Sequence, residues 1–329
     1  MTDSVIRPMD KDEVEMRTIR KTAVHLLCLL TCIWAVPVAA EDASNGGITF
    51  VVPWPPGDLE DTLTRLIADE VQRQTGENTQ VVNVPGEGGI VGASQVAAAP
   101  ADGLTVGSFV VDLMTTQPLA GNTPYGLEDF EPLGIFLEYP FVLAARADAP
   151  YDNLKLLAAH SRQQPVTLGH FGDQALPTVL TRQAADKLGI RFGGSKALDQ
   201  IDCPVLLAGD VDVVTTTVQQ LQACLNDGSV KLLVSMTRER LIVSDNTPTL
   251  RAETGIRQTT WNGLFVRRGT DPRRKALLER IASAAMRTEA AQAHRYTTGA
   301  HIFWLPGKVA QHVIEEDYRS AQTLLRYMQ

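Results

Sequence analysis

A chain of 329 residues is too long for one ordinary core and suits two α/β domains. With 44% apolar and 21% charged residues, it matches neither a disordered segment nor a membrane bundle. A formal net charge of −8, with no basic run after Lys21, argues against nucleic-acid binding, and four cysteines are too few for a disulfide scaffold.

The first feature along the chain is a processing signal. Arg17, Arg20 and Lys21 precede an apolar run over 23–36, and Pro37-Val-Ala-Ala40 puts small residues before a cut at Glu41. These are the n-region, h-region and cleavage site of a secretory signal peptide over residues 1–40, which predicts a periplasmic mature chain. The run is short for a permanent span, which needs about 20 apolar residues. The stretch before Met16 looks superfluous, so Met16 is a second candidate start. Of the cysteines, Cys203 and Cys224 survive cleavage. They either pair, closing a loop of about 20 residues worth about 3 kcal/mol, or remain buried thiols on neighbouring helices.

From Ile48 strands and helices alternate. Ile48–Val52 is a β-branched strand stopped by Pro53; Leu63, Leu66, Ile67 and Val71 share a helical face closed by Gly76. Strand Val81–Val84, an alanine-rich helix ending at Ala99 and strand Leu104–Phe109 follow, a β-α-β-α-β series that implies parallel strands. A second series has strands Phe141–Ala145 and Val166–Leu168, with the helix Leu154–Ser161 between them. The helix Leu176–Leu188, closed by Gly189, comes next, and a shorter one ends at Val205–Ala208. Strands Val211–Val214, Val230–Val234 and Trp261–Val266 and two final helical stretches complete the chain. The pattern predicts an α/β protein of two doubly wound lobes joined by crossing strands.

In open parallel sheets ligands bind beyond the carboxyl ends of the strands. Two loops stand out there, Pro53-Trp-Pro-Pro-Gly-Asp-Leu-Glu-Asp61 and Pro85-Gly-Glu-Gly-Gly-Ile-Val-Gly92. Both open helices, where unpaired amide hydrogens and close-approach glycines make an anion notch, with Trp54 as an apolar wall. Asp61 reads as the helix cap at this site. The catalytic census is nearly empty. The glycine loop is G-x-G-G-x-x-G rather than the dinucleotide spacing, and no P-loop lysine, G-x-S-x-G elbow or H-E-x-x-H occurs. His170, in Gly169-His-Phe-Gly172, follows a strand and is a candidate to face the cleft.

The motifs resemble those of the extracytoplasmic substrate-binding receptors of tripartite tricarboxylate transporters, the TctC or Bug-type family. The matching stretches are Ile48–Gly57 with Asp61 and Arg65, Asn83–Ala93, Asp102–Thr105, Pro124-Tyr125 with Asp129-Phe130, Leu207–Asp212, Thr247–Leu250 with Glu253 and Gly255, and Trp261–Phe265 with Gly269-Thr270. Their order and spacing together are specific. The resemblance implies a periplasmic binding protein of type II-like form, with a ligand cleft between lobe 1 (41–143 plus 263–329) and lobe 2 (144–262). It implies a monomeric receptor for a small organic acid, without catalysis, cofactor or metal, read by membrane permease subunits or by a sensor protein. Trp54, Pro56, Gly57, Asp58, Gly88 and Gly89 would contact the solute from the first lobe, and His170, Gln174 and Thr216 from the second.

The departures bear on the ligand. Asp58 stands where the family has a second glycine, and Ala175 where it has a hydroxyl residue; its Tyr-Lys-Gly-like segment is replaced around Ser195-Lys196. With Asp58, Glu60, Asp61, Glu87 and Asp173 on the cleft loops, a cationic or zwitterionic solute is the alternative ligand class.

Overall fold

The computed structural model describes residues 47–198 and 200–327, so the signal peptide expected over 1–40 lies outside the described residues. Strand β1 (Ile48–Val52) feeds helix α1 (Leu59–Thr75), whose apolar stripe Leu63, Ile67 and Val71 is fully buried. Gly76 ends α1 in the left-handed region at φ 73°, returning its N–H to Gln72 O. Strand β2 (Thr79–Asn83), helix α2 (Ile90–Ala98) and strand β3 (Thr105–Val110) complete the first parallel unit. Two short turns of helix, α3 (Val111–Met114) and α4 (Thr116–Leu119), lead to β4 (Phe130–Glu138).

The chain then crosses to a second sheet through only Tyr139 and Pro140, because β5 begins at Phe141. Strand β5 (Phe141–Arg146) is followed by α5 (Leu154–Ser161), β6 (Val166–His170), α6 (Leu176–Leu188) and β7 (Phe192–Ala197). Next come α7 (Cys203–Leu207), β8 (Val213–Thr217), α8 (Gln222–Asn226), β9 (Val230–Ser235) and α9 (Leu250–Thr254). The return strand β10 (Trp261–Arg267) rejoins the first sheet, followed by α10 (Pro272–Ala285), α11 (Glu289–Thr298), β11 (His301–Pro306) and α12 (Gly307–Leu324). The strand orders are β11-β4-β10-β3-β1-β2 and β7-β6-β8-β5-β9.

The parallel reading holds for β1 with β2 and β3, and β6 is parallel to β7 and β8, but both sheets are mixed. Strand β10 runs antiparallel to β3 and β4, β11 antiparallel to β4, and β5 antiparallel to β8 and β9. The reason lies in the crossings. Strands β1, β3, β6 and β8 finish where the sheets meet, whereas β5 and β10 start there, so each enters its new sheet against the local direction. The end of the chain is also richer than expected, with three helices and an intervening strand.

The two crossings are stitched together. Tyr139 N donates to Thr260 O at 2.8 Å, and Met236 N to Phe141 O at 2.7 Å. One apolar cluster packs α1 and α10 against the first sheet through Leu63, Ile67, Phe136, Leu278 and Ile281. Another lies within the second sheet's layer and contains Cys203 and Cys224. No helix among the described residues is long and apolar enough to cross a membrane.

Cys203 and Cys224 form a disulfide across a sequence separation of 21, joining α7 to α8. Closing a loop of that size restricts the unfolded chain by about 3 kcal/mol. The Cys203→Ala/Cys224→Ala variant should lose about that much in a denaturant titration, and excess reductant should weaken the wild type similarly. Equal stability of oxidised, reduced and variant protein would show that the bond contributes nothing.

Candidate functional site

A cavity of about 780 Å³ opens where the two sheets meet. Its walls come from the ends of strands and the segments after them, at β1 (Trp54, Asp58, Glu60), β3 (Val110, Asp112), β6 (Phe171–Ala175) and β8 (Thr217, Gln219, Gln220). Segments that precede β5 (Tyr139, Pro140) and β10 (Thr260) close it. This is where the carboxyl ends of α/β strands are expected to collect ligands. Phe171 meets Phe141 edge to face, at 6.4 Å between ring centroids, beside the crossing.

The amides at the start of α1 are partly engaged by the chain itself. Asp58 occupies the N-cap position, with extended backbone and no side-chain cap bond. Asp61 is not the cap; it lies one turn inside and accepts the Gly57 N–H at 2.9 Å, as well as Arg65 and Asn83. Those donors, once burial is overcome, hold its carboxyl below the usual range. The Glu60 carboxylate takes its own backbone N–H. Acidic side chains of the chain itself therefore occupy two amides at the start of α1, those of Gly57 and Glu60.

At the second loop Gly89 N and Val91 N return to Gly86 O, while Gly88 lines the cavity. Gly89 sits at φ +95°, and a Cβ there would meet Leu113 at 3.0 Å, so its glycine serves packing as well as the turn.

Of the residues singled out from the sequence, the structure brings Trp54, Asp58, Gly88 and Gln174 together on the cavity wall. Pro56 and Gly57 are exposed on the turn outside it, and Gly89 is buried beneath. His170 is 1% exposed and accepts the Gly172 N–H on Nδ1 at 3.1 Å, so its ring faces the fold rather than the cavity. Burial, aided by the nearby Arg182 charge, holds its pKa below the ordinary value. Thr216 is fully buried, and its hydroxyl donates to Ile201 O at 2.7 Å; Thr217, one residue on, lines the cavity instead. Successive side chains of a strand point to opposite faces, so an offset of one residue exchanges wall for core.

Sequence reasoning missed Asp112, Tyr139 and Thr260. Asp112 had a readable signal, an acidic residue just past the carboxyl end of a strand. The other two lie on crossings that become visible only once β4 and β10 are placed.

The electrostatics are one-sided. Asp58, Glu60, Asp112 and Asp173 line the cavity, and no lysine or arginine does so among the described residues. Burial pushes Glu60 up to about 7, assisted by the charges of Asp58 and Asp61 and opposed by its own N–H and the Tyr139 hydroxyl. Burial likewise pushes Asp112 to about 7, although the backbone at Leu176, the first residue of α6, supplies it a hydrogen bond. Asp58 is raised by burial and by Asp61. Asp173 is held low because Arg182 binds it. Three polar atoms on the wall are buried without a hydrogen-bond partner among the described residues: Trp54 Nε1, Thr260 Oγ1 and Asp112 Oδ1. Each such group costs about 1–3 kcal/mol until something satisfies it. Convergent unpaired donors and acceptors around a cavity mark a site for a small polar molecule. No group of His, Cys, Asp and Glu among the described residues has the arrangement of a metal site.

A carboxyl whose pKa rises on folding binds protons preferentially in the folded state. Glu60, Asp112 and Glu138 (about 7) and Asp317 (about 6) should therefore weaken the ligand-free fold as pH rises from about 4 towards 7. The melting midpoint of the ligand-free chain should be higher near pH 5.5 than near pH 7.5, and Asp112→Asn should shrink that difference. An undiminished difference in the variant would mean that Asp112 is ionised throughout this range.

The family model described as the tripartite tricarboxylate transporter family receptor, TctC, matches residues 63–324. Protein BugT of Bordetella pertussis is 27% identical over 290 residues, which cover 84% of this chain and 87% of that protein. A TctC solute binding protein from Polaromonas, solved without ligand, has TM-score 0.76 at 25% identity, covering 86% of this chain and 99% of its own. MatC from Rhodopseudomonas palustris, solved with bound malate, has TM-score 0.66 at 24% identity, covering 84% and 98%. With two sheets meeting at a polar cleft and a family match over most of its length, this chain belongs to the tripartite tricarboxylate transporter receptors, a solute-binding and non-enzymatic class.

Proposed function

We propose that the mature chain is a periplasmic receptor that closes two lobes over a small zwitterionic organic acid and presents the closed form to membrane subunits of a tripartite tricarboxylate-type transporter. Residues 1–40 direct export. The lobes are 41–143 with 263–329, and 144–262, turning about the paired crossings at Tyr139–Pro140 and Thr260.

The observation that carries the ligand class is a cavity with desolvated carboxyls and no cationic side chain. An ammonium group near Glu60 and Asp112 restores their ionised forms and offsets the cost of burying them. The carboxylate end of the same solute meets the unpaired donors Trp54 Nε1 and Thr260 Oγ1, with Gly88 allowing close approach. Asp58, at the rim, excludes a second carboxylate. Closure on the solute is a population shift, driven by its tighter binding to the closed arrangement.

A second reading is a dicarboxylate, as malate is for MatC. In that case Glu60 and Asp112 act as protonated donors.

The two readings respond oppositely to pH. An ammonium-bearing solute should bind more weakly as pH falls through about 7, because its carboxylate partners gain protons. A dicarboxylate should bind more tightly over the same range. Calorimetric titration of the mature chain with neutral amino acids and with C4 to C6 dicarboxylates, near pH 6 and pH 8, separates them. For the zwitterion reading Asp112→Asn should cost about tenfold to a hundredfold in affinity, the range for a charged hydrogen bond. Dicarboxylate binding that strengthens in Asp112→Asn and at low pH would overturn the zwitterion reading.

A further inference from the structure

A second concavity, of about 570 Å³, shares no lining residue with the cleft. It lies beside the return crossing, between α6 and α9 of the second lobe and helix α12, which packs on β4 of the first. Its lining carries Lys187, Arg238, Arg251, Arg257 and Arg319, in a chain whose formal net charge is −8.

None of these five side chains forms a salt bridge among the described residues. Lys187 donates to Thr254 O and Arg319 to Glu315 O, both uncharged acceptors, while Arg238 is attracted to the Glu138 and Asp317 carboxyls. Glu316 and Asp317 line the same concavity, but Asp317 is already engaged by Trp261 Nε1 at 2.8 Å.

We propose that this concavity is a second ligand site, which takes a small polyvalent oxyanion of the phosphate or polycarboxylate kind. Guanidinium groups bind both kinds bidentately, and convergence of several from two lobes favours an anion carrying more than one charge. Because α12 and α6 belong to different lobes, the bound anion ties them together behind the crossing. The proposal involves none of the cleft residues, so it stands or falls separately from the cleft reading.

The test uses the mature chain with inorganic pyrophosphate and citrate as separate calorimetric probes. Three proteins are compared: wild type, Arg251→Ala/Arg257→Ala and the cleft variant Asp112→Asn. Arg251 and Arg257 are exposed, so their loss should leave the melting midpoint near that of wild type. Saturable binding of either probe is expected, weakened at least about tenfold in the arginine variant and unchanged in the cleft variant. Whichever probe binds identifies the kind of oxyanion. Absence of saturable binding of both probes, or binding that the arginine variant leaves intact, would overturn the proposal.

Discussion

A carboxyl group withdrawn from water with no cation beside it has two ways out: it takes a proton, or it receives a positive partner. The cleft of this protein is built around that constraint. Glu60 and Asp112 are desolvated, Asp58 adds its charge at the rim, and Arg182 is committed to Asp173. At the start of α1 the Gly57 amide is taken by Asp61 and the Glu60 amide by its own side chain. On the proposed reading the family scaffold is retained while the sign of its recognition surface is reversed.

Much of the architecture was legible because local chemistry agreed with the fold. Leu154–Ser161 and Leu176–Leu188 were read to their boundaries, since Asn153 caps the first and Gly189 closes the second. The β-branched run Ile48–Val52 was read for the same reason. The unread strands lack such signals. Phe130–Glu138 is almost wholly buried along its length and contains Pro132 and Gly134, so it shows neither alternation nor a clean β-branched run. Phe192–Ala197 and His301–Pro306 are edge strands, one with two glycines and the other ended by proline.

The site was legible only where a single loop supplies it. Trp54, Asp58 and Gly88 sit in loops whose composition announces a helix start. Tyr139 and Thr260 sit where the chain changes sheets, a property of topology that no window of residues contains. His170 and Thr216 lie off the cavity wall for a narrower reason, the orientation of one side chain on a strand. Strand pleat reverses at every residue, so an error of one position moves a group from the wall into the core.

Tyr139 joins two roles. Its backbone N–H holds one crossing to the other, and its hydroxyl lies beside Glu60 at the cavity wall. In the proposed closure a solute that draws this ring into place pulls on the pivot itself rather than on a distant flap. Grip and rotation would then share one residue, and the hinge would be among the first parts of the molecule to feel whether the chamber is full.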